Sequence, residues 1–128
     1  MNLLTKKLIK ETGSATLEFT FILMILLSMT FAMIDFGRYV YANNVIRSAA
    51  QEGARAGIAN GDINQAVTGK LIALNPDKAV VTVPPSAFAN TVEVNVTYEF
   101  EFITPFISAS AGGPIQIEGS ASMLRFPS

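Results

Sequence analysis

The chain has 128 residues, half of them apolar, and a net charge of −1. This length allows one small domain with an anchor but not two domains, and the charge balance leaves no basic surface for nucleic acid. Cysteine and histidine are both absent. Their absence removes disulfides, thiolate metal sites, the commonest general base and the commonest metal ligand. We therefore expect no cofactor, no metal and no nucleic-acid partner.

Enzymatic chemistry would have to rest on a serine–lysine pair or on carboxylates. The chain contains neither Ser-x-x-Lys nor Gly-x-Ser-x-Gly, which are motifs of serine nucleophiles. Its acids form no obvious catalytic pair. We therefore expect that the protein is not an enzyme, with no catalytic residues and no small-molecule substrate.

The N-terminal region combines positive charge with a long apolar run. Lys6, Lys7 and Lys10 precede residues 19–34, which carry no charge, and the run stops at Asp35. Positive charge before an apolar span predicts a cytoplasmic N-terminus and export of everything after the span.

Three kinds of processing are compatible with such a segment. A secretory signal would be cut after the apolar run, but the residues after Ile34 form a poor cleavage site. An uncleaved signal anchor would require nothing of Gly13 or Glu18. Cleavage between Gly13 and Ser14, before the apolar run, would leave the apolar helix on the mature protein.

The first half of the chain predicts one long helix. A helix that starts at Ser14 meets no proline before residue 76, and residues 60–62 supply a stop signal. Its length would be roughly 45 residues, and its first six turns would rise about 31 Å, close to the thickness of a bilayer core. We predict a transmembrane half over residues 14–41 and an amphipathic half over residues 42–59.

The remainder predicts a short helix and three strands. Apolar residues recur at helical spacing over residues 63–74, and Asn75-Pro76-Asp77 would end this second helix. Residues 91–102 alternate strictly between apolar and polar, so one face of that strand needs an apolar cover. The other predicted strands are residues 79–83 and 115–126, and residues 103–114 are predicted to form a loop.

These elements predict an α+β fold. A long N-terminal transmembrane helix would pack on a small three-stranded antiparallel sheet, with a short second helix, and residues 42–128 would form the extracytoplasmic head. Glu93, Glu99 and Glu101 alternate along one strand, which favours a solvated face that blocks edge pairing over a metal site. Phe106-Ile107 is either an exposed docking loop or a lid on the core, and we favour the lid.

Charged and aromatic residues mark the end of the apolar run. Asp35 and Arg38 are three residues apart and share a helix face, which favours an interfacial ion pair where the helix leaves the membrane. Tyr39 and Tyr41 fit an aromatic belt at the outer interface.

Small residues recur further along the same helix. Ala49, Gly53 and Gly57 are spaced by four, and Ala50 and Ala54 repeat this spacing. Such a pattern allows another backbone to approach closely. The partner could be a neighbouring helix or the chain's own sheet, and the sequence leaves both open.

Three of these stretches resemble known sequence signatures. The basic leader that ends at Gly13, with Glu18 as the fifth residue after it, resembles the processing site of type IV prepilins. Residues 34–39 and 49–57 resemble the two signature stretches of TadE-like pseudopilins, which usually read (Asp/Glu)-Phe-Gly-Arg and Ala-Ala-x-x-Gly-Ala-Arg. The three features occur in order and, with the leader, cover roughly the first half of the chain. The strand pattern of the C-terminal half also resembles these proteins, though less specifically.

The resemblance implies a minor pilin, or pseudopilin, of a Tad (Flp) type IV pilus and secretion system that acts in pilus biogenesis, adhesion and biofilm formation. It implies cleavage of the leader, residues 1–13, by a prepilin peptidase between Gly13 and Ser14. It also implies that Glu18 pairs with the free N-terminal amine of a neighbouring subunit. The residues implied are Glu18 and Phe19 for subunit register, Asp35, Phe36, Gly37 and Arg38 for membrane exit, and Ala49, Ala50, Gly53, Ala54, Arg55 and Gly57 for helix packing.

The implied location is the bacterial inner membrane, with a single span and the C-terminal domain outside the cytoplasm, and the pilus or cell surface after assembly. The implied partners are the membrane, the prepilin peptidase, other pilin or pseudopilin subunits and Tad assembly proteins. Two alternatives stay open. The chain could be an uncleaved single-pass scaffold of a secretion or assembly platform, and Glu18 could act only as an acid that favours the start of the helix dipole.

Overall fold

A computed structural model describes residues 2–86 and 88–126, without the side chains of residues 8–11. Its dominant element is helix α1, Leu3–Ile58, which has 56 residues and is about 84 Å long at 1.5 Å per residue. The helix starts eleven residues before Ser14, so the leader continues the apolar helix without a break.

A small sheet and two short helices follow α1. The three strands form one antiparallel sheet in the order β1-β2-β3, which confirms the predicted α+β fold with a long apolar helix and a three-stranded antiparallel sheet. Each strand ends one or two residues before the predicted limit. In chain order the elements are α2 (Ile63–Lys70), a 3₁₀ turn (Pro76–Lys78), β1 (Ala79–Thr82), β2 (Thr91–Phe100), α3 (Pro105–Ala111) and β3 (Ile115–Leu124).

The first half of α1 contacts little else in the protein. All side chains of residues 12–31 are exposed, although most of them are apolar. Within the described part of the chain, α1 is the one helix long and apolar enough to cross a membrane, judged by length and composition. An exposed apolar surface of this size needs a non-aqueous or protein environment.

The second half of α1 builds the core with the sheet and α2. The alternating face of β2 lies against α1, as the strict period of two requires. Beyond residue 11, the first buried residue of α1 is Asp35, seven residues before the predicted limit of the head, so we use "head" below for residues 35–86 and 88–126. The buried apolar residues are Ala42, Ile46, Ala49, Ala50, Ala54, Val67, Leu71, Val94, Val96, Tyr98, Phe100 and Ile117.

The small residues of α1 allow the chain's own elements to approach. A Cβ on Gly53 would lie 2.7 Å from a methyl group of Val67 and 3.1 Å from one of Val94. A Cβ on Gly57 would lie 2.6 Å from a methyl group of Val92. Within the chain, the partners of this face are therefore both a helix, α2, and the sheet, through β2.

The second helix is shorter than predicted. It ends at Lys70, not at Leu74, and Ala73 adopts a positive φ of 59° in the turn that follows. The hydroxyl of Tyr41 donates a hydrogen bond to the carbonyl of Ile72 at 3.0 Å. This contact with α1 stabilises a chain reversal that local helical spacing does not reveal.

Residues 103–114 do not form a simple loop, and that prediction was wrong. They contain helix α3, which has Pro105 in its first turn and ends at Gly112 in the left-handed conformation. Proline is favoured at the first helical position and glycine just after the last. Phe106 is 79% exposed, so its predicted role as a lid on the core was also wrong.

Candidate functional site

The carboxylate of Asp35 ties the long helix to the segment between β2 and α3. Asp35 is only 1% exposed. Its Oδ1 accepts the backbone N–H of Ile103 at 2.9 Å, and its Oδ2 accepts that of Thr104 at 2.8 Å. Hydrogen bonds to an ionised acceptor are stronger than neutral ones. We call this arrangement the Asp35 clasp.

Arg38 completes the clasp from the next turn of α1. Its Nη1 lies 3.2 Å from Asp35 Oδ1 and donates to the carbonyl of Glu101 at 3.3 Å. The guanidinium carbon also lies 5.2 Å from the ring centroid of Phe100, within cation–π range. The predicted ion pair between Asp35 and Arg38 is therefore present, but its acid is buried and bonds mainly to backbone.

Aromatic rings pack around the clasp. Tyr39 and Phe100 meet edge to face with centroids 5.8 Å apart, and Phe100 meets Phe102 in the same way at 5.3 Å. Such edge-to-face pairs add stability beyond their buried area. Tyr39 thus packs partly within the head, and its place in an aromatic belt stays a prediction.

The four residues of the predicted membrane-exit motif do not act together. Asp35 and Arg38 contact the head, since residues three apart share a helix face. Phe36 is 68% exposed, and a Cβ on Gly37 would meet no described atom within 4 Å. Within the motif, Asp35 and Arg38 therefore bond to the head, whereas Phe36 and Gly37 only line open cavities beside it.

The predicted processing and register residues lie far from the clasp. Gly13, Ser14, Glu18 and Phe19 are all exposed on the free half of α1. Glu18 makes no hydrogen bond or ion pair within the described part of the chain. Seventeen residues separate it from Asp35, which is about 26 Å along the helix. The chain therefore carries two separate candidate sites on one helix.

The comparison with protein families covers this same stretch of α1. Residues 13–55 match the TadE-like protein family. The match confirms the predicted resemblance, and it begins at Gly13 and contains both the clasp residues of α1 and most of its small residues. No curated protein and no solved structure matches the chain. The match and the apolar helix indicate a membrane-associated component of a Tad pilus system.

The TadE-like segment ends within the face of α1 that packs in the head. Ala49, Ala50, Gly53 and Ala54 are buried there, and Gly57, just beyond the match, is buried too. Arg55 is exposed and lies 3.8 Å from Glu52, so it does not belong to the face that packs in the head. The physical reason is helical geometry, because a residue two positions from both Gly53 and Gly57 points to the opposite side.

One stabilising residue outside the TadE-like segment was missed by the sequence analysis. Arg125 follows β3, and its Nη2 donates to the carbonyl of Gly57 at 2.8 Å and to Asn60 Oδ1 at 2.6 Å. A cation at a helix C-terminus interacts favourably with the helix dipole and its free carbonyls. No local pattern predicts this contact, since its partners lie 68 and 65 residues away.

The described residues contain no group of three or more acidic side chains placed to hold a metal ion. Glu99 on β2 and Glu101 just after it are exposed, and Glu101 pairs with Lys78 at 3.2 Å. The arrangement is a long apolar helix whose C-terminal half is fixed to a small head.

Proposed function

We propose that this protein is a pilin-like minor subunit, or pseudopilin, of a Tad pilus assembly and secretion system. The observation that carries the proposal is the TadE-like match over residues 13–55, a segment that combines the predicted processing site, an exposed apolar helix and the clasp. The helix would anchor the subunit in the bacterial inner membrane with a single span, with the head on the extracytoplasmic side. The subunit would contribute to pilus biogenesis and, through the pilus, to adhesion and biofilm formation.

Processing by a prepilin peptidase would occur between Gly13 and Ser14. Lys6 and Lys7 are exposed ahead of the site, and a Cβ on Gly13 would meet no described atom within 4 Å. Removal of residues 1–13 would leave a helix from Ser14 to Ile58, about 67 Å long. The apolar half of α1 would thus remain on the mature subunit.

Glu18 would become the fifth residue of the mature helix. An acid inside a bilayer is unfavourable by about 2.5–3.5 kcal/mol at the centre of the membrane, and Glu18 is exposed at the start of the apolar run. The new N-terminal amine of Ser14 in a neighbouring subunit is a cation that would offset this cost. Such a pair can specify the register between subunits even where its net stabilisation is small.

The Asp35 clasp would hold the head in one orientation on the helix. A subunit that assembles through its helix presents its head in a defined direction only if the two parts are fixed to each other. The buried carboxylate bonds two backbone groups from the distant end of β2, at the level where the apolar run stops. This role is structural, and we propose no enzymatic activity for the chain.

Intact-mass measurement of the protein from cells that contain an active prepilin peptidase tests the processing step. We expect loss of residues 1–13 in the wild type and retention of the leader in Gly13→Trp. Gly69→Trp is the matched control, because a Cβ at Gly69 also meets no described atom within 4 Å, and it should be processed normally. An unshifted wild-type mass would leave the uncleaved single-pass scaffold as the remaining function.

A further inference from the structure

The segment around α3 is unlike the rest of the head surface. Residues 102–117 carry no charge, between Glu101 and Glu118. Within this segment Ile103 is 56% exposed and Phe106 is 79% exposed. Large apolar side chains that lie together on a surface mark a contact site.

This segment lies beside the apolar half of α1. Met29 is six residues before Asp35, about 9 Å toward the N-terminal end of α1 at 1.5 Å per residue, and it belongs to the uncharged run. The segment around α3 lies beside residues of the uncharged run of α1, as the following groove shows. An apolar groove between α3 and α1 is lined by Ser28, Met29, Ala32, Thr104, Phe106 and Ile107.

Some of the backbone N–H groups at the two ends of the segment have hydrogen-bond partners within the protein. Asp35 accepts the two N–H groups directly before α3, and Pro105 has no N–H. At the other end, the N–H groups of Gly112 and Gly113 donate to helix carbonyls. Satisfied backbone groups matter here because free ones are strongly unfavourable in contact with hydrocarbon.

We infer that residues 103–107 form a second membrane contact, in which Ile103 and Phe106 insert among the acyl chains of the extracytoplasmic leaflet next to α1. The inference rests on the membrane anchor of the proposed function. Lipid is the occupant that fits, because the patch is continuous with side chains of the span itself and carries no charge or exposed carboxylate. The contact would hold the head against the bilayer surface in addition to the single helix.

Single tryptophan probes test the inference, since the chain contains no tryptophan. Phe106→Trp is made in the full chain and reconstituted at a low protein-to-lipid ratio in vesicles of phosphatidylethanolamine and phosphatidylglycerol, with or without brominated acyl chains. We expect blue-shifted emission and a brominated-lipid quenching of about half that of Phe21→Trp, because a site near the interface meets fewer acyl-chain quenchers than the hydrocarbon core.

Two matched variants report separately on insertion of α1 in the bilayer and on a head site far from it. Phe21→Trp lies in the apolar run and reports whether α1 is in the bilayer at all. Phe126 is 84% exposed and follows Arg125, which lies at the C-terminal end of α1. The tryptophan of Phe126→Trp should therefore stay unquenched.

Each outcome bears on one proposal. Quenching of both Phe21→Trp and Phe106→Trp supports the lipid contact. Quenching of Phe21→Trp alone overturns the inference and leaves the anchor. The emission of Phe106→Trp would then be red-shifted if its tryptophan lies in water, or blue-shifted but unquenched if other protein covers it. Absence of quenching in Phe21→Trp removes the membrane anchor of the proposed function, and the lipid contact with it.

Discussion

Gly119 of β3 lies directly against the backbone of Ile46 in α1. A Cβ on Gly119 would come within 2.9 Å of a methyl group of Ile46 and within 3.0 Å of its carbonyl carbon and oxygen. Ile46 is fully buried, so it cannot move aside without disturbing the core. The last strand and the long helix therefore touch at a point where no side chain fits.

Replacing Gly119 with alanine should therefore destabilise the head. We expect Gly119→Ala to lower the free energy of unfolding by about 1–3 kcal/mol, the usual cost of overpacking a core. The measurement is urea unfolding in detergent followed by tyrosine fluorescence, because all three tyrosines, Tyr39, Tyr41 and Tyr98, lie in the head and tryptophan is absent. Gly69→Ala is the control, with no described atom within 4 Å of the new Cβ, and should be neutral or stabilising by up to about 1 kcal/mol. Equal losses in both variants would contradict the packing argument.

The Asp35 clasp should contribute more to the free energy of unfolding than an exposed ion pair on the same helix. Asp35→Asn keeps the shape of the side chain but removes one strong acceptor, so we expect a loss of about 1.5–3 kcal/mol in the free energy of unfolding. The amide protons of Ile103 and Thr104 should also exchange faster with deuterium.

Glu52→Gln is the matched control for that experiment. Glu52 pairs with Arg55 at 3.8 Å on the exposed face of α1, where ion pairs contribute about 0–1 kcal/mol. Its effect should be small and should leave the exchange of the Ile103 amide unchanged. If the two substitutions cost the same, the buried carboxylate does not anchor the head.

Asp35 and Arg38 should be energetically coupled. Arg38→Met should cost less than Asp35→Ala, because the carboxylate would keep both backbone donors while Arg38 itself is 44% exposed. We expect the double variant to lose less than the sum of the single ones, with a coupling of about 0.5–3 kcal/mol. A second cycle between Asp35 and the exposed Arg47, about 18 Å along the helix, should be additive. Additivity in both cycles would show that the ion pair plays no part.

Glu18 should matter for assembly and not for the stability of the head. We expect Glu18→Ala to insert and to be processed, but to appear in sheared filaments at about one tenth of the wild-type amount, which corresponds to ~1.4 kcal/mol per subunit contact. The unfolding free energy of the head should stay within about 0.5 kcal/mol of wild type, as for surface substitutions in general. Glu99→Ala, another exposed carboxylate, is the control for assembly. Wild-type assembly of the Glu18 variant would remove the argument for pairing with a neighbouring amine.

Several features of this protein are determined by its sequence alone, because they depend on local patterns. The absence of proline before residue 76 and the uncharged run over residues 19–34 predict the long apolar helix. The strict alternation from residue 92 onward predicts the main strand and the face that it buries. The prepilin-like and TadE-like stretches lie in this same helical region, and there the prediction of a family agreed with the comparison.

Other features were decided only by the tertiary structure. The small residues of α1 permit a close neighbour, but only the fold shows that α2 and β2 take that place. Asp35 has an ordinary helical partner in Arg38, yet its shortest bond, 2.8 Å, is to Thr104, 69 residues away. Helix α3 likewise forms where a carboxylate from another element holds the backbone just before it. Helical and strand periods describe neighbours along the chain, whereas these contacts depend on which distant segments meet when the sheet folds back on the helix.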